Sequence, residues 1–193
     1  MQQSMHHVLS NYLIAKQEDF GNNDLANFIR NTLEARTVES CNISLKKYKV
    51  EGSPGKGNWA EVPWLCVFDK DITQTATRGF YIVYLFNADM SGVHLSLNQG
   101  WTHYKEKYKA AKGKEYIKKV ANSCKHILRS SLNDFSFNDI TLHCSGNLGK
   151  GYEYGHICGK YYSKENIPNK LELVNDLRNL LGVYRGVIWP AGM

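Results

Sequence analysis

Metal-dependent phosphodiester cleavage needs several carboxylates close enough to share a cation. The 18 Asp and Glu residues of this 193-residue chain are scattered. Asp69 and Asp71 come nearest, at the end of the apolar run 62–68, and with Lys70 between them they read as a turn. No strand-like segment shows the paired Asp/Glu-x-Lys pattern of such sites, and neither GxSxG nor HExxH occurs. Two glycine-rich segments, GKGNW at 55–59 and GNLGKG at 146–151, combine Gly with Lys but lack the GxxxxGK[ST] spacing. Strand-like sequence follows each, where a phosphate loop requires a helix N-terminus. Cys144, His143, His156 and Cys158 are the nearest approach to a zinc set. Adjacent residues on a strand point to opposite faces, so these do not converge by spacing. The expectation is a chain with no catalytic residues, no metal and no cofactor, which is not itself an enzyme.

The residue types favour binding an anion. Lys and Arg outnumber Asp and Glu by 24 to 18, a formal net charge of +6, and neutralising phosphates draws on that surplus. Residues 105–125 hold eight lysines against Glu106 and Glu115. On a helix Lys105, Lys109 and Lys112 share a face, as do Lys114 and Lys118; such a face is either a phosphate rim or ordinary solvated surface. Lys46, Lys47 and Lys49, just before the first glycine-rich loop, are the better candidates for phosphate contact. The five cysteines show no CxxC spacing, fitting free thiols in a reducing cytoplasm. No signal-peptide core or membrane-length apolar stretch is present, so a cytoplasmic protein is expected.

The most distinctive segment is GKGNWAEVPW at 55–64, followed by GFYIVYLF at 79–86. A G-x-G-N-aromatic-x-x-hydrophobic-P-W motif, then a strand opening on Gly-hydrophobic-Tyr, resembles the N-terminal domain of McrB-type modification-dependent restriction proteins. LSLNQG at 95–100, Tyr161-Tyr162 and the spacing of Leu171, Val174, Leu177 and Tyr184 extend the resemblance over about residues 40–185. It implies double-stranded DNA binding with a modified cytosine, 5-methyl or 5-hydroxymethyl, flipped into an aromatic pocket. The physical sense is plain, because one methyl alters the major groove little, whereas a pocket around an extruded base can enclose it.

By the same resemblance Trp64 lines the base pocket, Leu85 adds an apolar wall, and Tyr81 enters the duplex as the base leaves. Tyr152, with Tyr154 as fallback, is the candidate third aromatic, and Lys56 sits between two glycines for a phosphate contact. The expected setting is type IV restriction and phage defence, with a GTPase/AAA+ domain or nuclease subunit as partner. Two alternatives stand beside it: a catalytic nuclease or DNA-modifying domain, and a nucleic-acid or protein interaction module without modification dependence.

The elements that must position these residues follow from hydrophobic period. Val8, Tyr12, Leu13 and Ala15 mark a first helix, and Asn23 caps a second through Leu25, Phe28, Ile29 and Leu33. Ile43, Leu45 and Tyr48 alternate as a strand, and 52–58 is a loop. Runs at 62–68, 79–86 and 93–97 predict an antiparallel meander, with a hairpin loop over 87–92. A helix follows Trp101, with Gly113 a possible interruption. Two strands, around 140–145 and 154–162, flank a turn at 146–151, and an amphipathic helix closes the chain. The whole predicts one domain over 1–193: α+β, a mainly antiparallel curved sheet packed with about four helices.

Overall fold

FYIVYLF at 80–86 has no polar position to offer water, so it must be covered on both faces, and all seven residues are buried. The computed structural model, which describes residues 1–187, places this segment at the centre of an open antiparallel sheet. Residues 188–193 of the expected domain lie outside the described residues. The strands are β1 (Tyr48–Ser53), β2 (Trp64–Asp69), β3 (Phe80–Phe86), β4 (Gly92–Gln99) and β5 (Cys158–Ser163), side by side in chain order. With the helices they form the α+β architecture expected; among the described residues there is one strand fewer and, with α2 and α3 counted as one continuous run, one helix more.

Strand alternation divides the sheet into two unlike faces. Leu65, Val67, Ile82, Tyr84, Phe86, Leu95 and Leu97 enter the main core. That core is covered by α1 (Gln2–Ala15) and by α2 (Asp24–Asn27), which runs through a π-helical stretch, Phe28–Leu33, into α3 (Glu34–Cys41). Asn23 caps α2 as expected, accepting from the Leu25 and Ala26 amides. The opposite face carries a smaller cluster, including Cys66, Phe68, Tyr81, Val83 and Leu85.

Four expectations need correcting. The strand read from Ile43 begins at Tyr48, because 44–48 closes as a turn on the Ser44 carbonyl and leaves Leu45 56% exposed. The long helix α4 (Trp101–Leu128) is broken at Lys109 (φ 66°, ψ 171°) and not at Gly113. Gly113 instead permits close approach, since a Cβ there would lie 2.8 Å from the Tyr104 carbonyl oxygen. On a straight helix nine residues span about 13 Å, so the chain doubles back into a helical hairpin.

The third correction is at 140–151. Residues 140–145 form no strand, and the expected glycine turn is the helix α5 (Asn147–Gly155). Its glycines serve packing: a Cβ at Gly149, Gly151 or Gly155 would collide with Cys144, Trp101 or Asn98. Fourth, in α6 (Lys170–Tyr184) the buried stripe is Leu173, Val174, Leu177, Leu180 and Tyr184, while Leu171 is 70% exposed.

Asp176 ties α6 to β5. Its carboxylate is buried and accepts from Lys160 Nζ and from the Tyr162 hydroxyl, each at 2.7 Å. Asp176→Ala strands both donors and should lower the unfolding free energy by about 2–3 kcal/mol. Asp176→Asn, which keeps an acceptor, should lose less. Urea titrations of both would measure this, and a loss below about 1 kcal/mol for the alanine variant would remove the latch from the account.

Candidate nucleic-acid interface

The GKGNWAEVPW segment connects β1 to β2, and each of its anchored residues has an identifiable task. Gly55 and Gly57 adopt φ of 128° and 78°, and a Cβ at Gly55 would fall 2.0 Å from the Asn58 carbonyl. The loop closes through the Ala60 amide donating to the Pro54 carbonyl. The Tyr12 hydroxyl reaches from α1 to both the Pro54 and Ala60 carbonyls, at 2.9 Å. Trp59, edge-on to Tyr12 and Phe20, donates its indole N–H to the Glu18 carbonyl. Lys56, Gly57 and Asn58 are left exposed at the tip.

On the other side, the Glu61 carboxylate accepts from the Ser145 amide (2.7 Å), the Ser145 hydroxyl (3.1 Å) and the Gly146 amide (2.8 Å). The bond from the Ser145 amide leads in holding its pKa below the usual carboxylate value. A carboxylate thus occupies the N-terminus of α5, which suits the orphan amides and positive end of the helix dipole there. The missing-helix argument against a phosphate site at 146–151 therefore falls, and the observed occupant is Glu61.

These anchors deliver Trp64 to the start of β2, directly opposite Leu85 across the β2–β3 ladder. Trp64 remains partly exposed while Leu85 is fully buried, and both belong to the smaller cluster. Tyr152 projects from α5 into the same cluster, against which Trp64 also packs. Burial drives the Tyr152 pKa far up. Trp64, Leu85 and Tyr152 therefore meet. Tyr154 faces away, edge-on to Trp101.

Tyr81 shares the face but sits four residues, about 13 Å, along β3 from Leu85. It is fully buried, edge-on to Phe68 with ring centroids 5.7 Å apart, and its hydroxyl donates to the Gln99 carbonyl at 3.1 Å. So placed, it supports the cluster from beneath; entering a duplex would require the cover contributed by residues 140–155 to lift.

Sequence reasoning missed a polar network behind these aromatics. Ser96 and Asn98 point from β4 to the same face as Tyr81. Asn98 Nδ2 donates to the Tyr152 carbonyl (3.0 Å) and to Ser96 Oγ (3.1 Å), while Ser96 Oγ lies 2.7 Å from His156 Nδ1. Gln99 Nε2 donates to the Ile117 and Gly155 carbonyls, at 3.2 and 3.4 Å, and Tyr104 donates to Gln99 Oε1. The network fastens α5, and with it Tyr152, to the sheet. Its signal in the sequence was the run of polar residues in LSLNQG inside a strand that is otherwise apolar.

The lysines divide. Lys49 lies on the Trp64 face, but its ammonium is 2.5 Å from Glu51 and donates to the Gln74 carbonyl. Lys46 and Lys47 precede β1 at the end of the sheet away from Trp64; Lys47 stands beside Lys70, whose amide donates to its carbonyl. They do not adjoin Trp64 as expected. Asp69 and Asp71 are engaged by Arg185: Nε to Asp69 at 2.7 Å, and Nη2 to Asp71 at 2.6 Å. Burial alone would raise the Asp69 pKa, but the Arg185 hydrogen bond takes it below the ordinary value. Among the described residues no three His, Cys, Asp or Glu side chains form a group able to hold a metal. His143 faces Asp89, while His156 is buried against Ser96. No helix among the described residues is long and apolar enough to cross a membrane.

Residues 7–188 match the family model described as MrcB-like, N-terminal domain. No curated protein matches the chain.

Proposed function

This chain belongs to the MrcB-like, N-terminal domain family, a DNA-binding module of type IV restriction that is not itself catalytic, and from that premise we propose that it reads modified cytosine by base flipping. The observation that carries the reading is the meeting of Trp64, Leu85 and Tyr152 on a face separate from the main core. A partly exposed indole beside a buried leucine offers a flipped base one stacking surface and one apolar wall. The methyl or hydroxymethyl group adds contact there that plain cytosine lacks.

Admission of a base requires Trp64 and Tyr152 to part, since both pack against the same small cluster. Lys56, at the exposed loop tip, contacts a phosphate near the extruded nucleotide. Tyr81 takes the role of buttress, not of wedge. Arg185 engages Asp69 and Asp71; on this reading cutting falls to a partner, a GTPase/AAA+ domain or nuclease subunit, in the cytoplasm.

The test is binding to matched duplexes that differ only in modification of one cytosine, at fixed salt. Tighter binding to the modified duplex is expected. Equal binding to both would leave a DNA-binding module but remove the modified base from its function.

A further inference from the structure

We propose that the α4 helical hairpin is a second DNA contact, a lysine-bearing arm that grips backbone phosphates flanking the extruded base; this rests on the DNA-binding reading above. Three independent features of the fold converge on it.

The first is the backbone at the apex. Lys109 holds φ 66° and ψ 171°, a region populated almost solely by glycine and costly for any residue with a Cβ. An ordinary solvated helix would run straight through this position. Here the chain reverses, and a lysine stands at the reversal where glycine would fit better.

The second is what the reversal gathers. The rings of Tyr108 and Tyr116 stack with centroids 4.2 Å apart, although eight residues along a straight helix would separate them by about 12 Å. Tyr116 is 44% exposed, and the Lys107 ammonium lies 5.1 Å from the Tyr108 ring centre. Lys105, Lys107, Lys109, Lys112 and Lys114 are all exposed, and none of them forms an ion pair among the described residues. Five such lysines, outnumbering Glu106 and Glu115 and paired with neither, suit a polyanion.

The third is position. Lys114 and Lys118 reach over the Tyr154 ring, with ammonium-to-centroid distances of 4.7 and 5.6 Å. Tyr154 and Tyr152 are two residues apart on α5, on opposite sides of that helix. One helix diameter, about 10 Å, therefore separates the near end of the basic arm from Trp64 and Tyr152. At about 3.4 Å per nucleotide along one strand, the arm meets phosphates some three to six nucleotides from the flipped base.

The experiment measures binding of modified and plain duplexes across a salt series. The variants are the triple Lys107→Gln/Lys109→Gln/Lys112→Gln, the single Lys109→Gly, and a control, Lys164→Gln/Lys170→Gln, near the N-terminal end of α1. Each lost phosphate contact should reduce the slope of log K against log [salt] by about 0.9. The triple variant should therefore lose about 2–3 from the slope and at least tenfold in low-salt affinity, equally on both duplexes, with the control unchanged. Lys109→Gly should melt at higher temperature, because it suits the backbone, yet lose about one unit of slope; a merely structural residue would not move in opposite directions. Wild-type binding with an unchanged slope in the triple variant overturns the arm and leaves the base reading standing. A wild-type chain that binds no duplex overturns both. Equal loss on both duplexes supports the arm even if no preference for modification is found.

Discussion

Trp64→Ala should abolish most of the preference for a duplex carrying modified cytosine, while leaving a folded protein that still binds plain DNA. The argument is one of location. Trp64 lies at the start of β2, partly exposed, so its removal opens no cavity in the main core. What it loses is the stacking surface opposite Leu85 and the packing shared with Tyr152. Base–aromatic stacking is worth about 1–3 kcal/mol, so affinity for the modified duplex should fall by up to about 100-fold. Affinity for plain duplex, resting on phosphate contacts, should change little. Trp64→Phe, which retains a smaller ring, should fall between. Parallel titrations of both duplexes decide it: an equal loss on the two would mean that Trp64 supports the fold or the loop and does not contact the base.

Acid should destabilise the domain well before its carboxylates titrate. Burial lowers the pKa of His156 from about 6.5 to about 3, and that of His94 to about 4. His156 is 2% exposed, with Nδ1 against Ser96 and Nε2 without a partner, so a second proton would bring an unneutralised charge into the interior. The folded chain resists protonation that the unfolded chain accepts near pH 6.5. The stabilising contribution is therefore complete above that pH and declines as pH falls toward the folded values. Each histidine gives a slope of up to about 1.4 kcal/mol per pH unit. From pH 7.5 to 5 the pair should remove up to about 4 kcal/mol, read as a shift in urea midpoint at constant m. Because His156 belongs to the network that fastens α5, DNA affinity should decline along with stability. A flat profile over that range would show that neither histidine is held neutral.

The legible parts of this fold are those where one residue's surroundings are set by near neighbours in sequence. The central strand was readable because FYIVYLF has a single solution, burial on both faces. Asn23 was readable as a cap, whereas Trp64 and Leu85 were named together only through the family resemblance. The illegible parts depend on distant residues. Three glycines among nine residues argue against a helix at 147–155, yet Glu61, more than eighty positions earlier, supplies the acceptor for its N-terminus. Lys109 gave no sign of a reversal, since glycine is the residue expected there and Gly113 nearby drew the expectation instead. Tyr81 was given a role at the DNA surface by the family resemblance, with strand alternation placing it on the same face as Leu85. Alternation says nothing of depth, and the cover over that face comes from 140–155, whose course was itself misread. Tyr12 was read only as a helix face and Trp59 only as the aromatic of the motif, because their task, holding the motif loop to α1, joins segments more than forty residues apart.

The central claim, that a base leaves the stack to meet Trp64, is tested most directly by fluorescence of 2-aminopurine placed next to the target cytosine in a duplex. Binding of the domain should raise the emission strongly with the modified duplex and much less with the plain one, as the neighbouring base loses its stacking partner. Saturating binding to the modified duplex with no change in emission would contradict base extrusion, whatever the affinity.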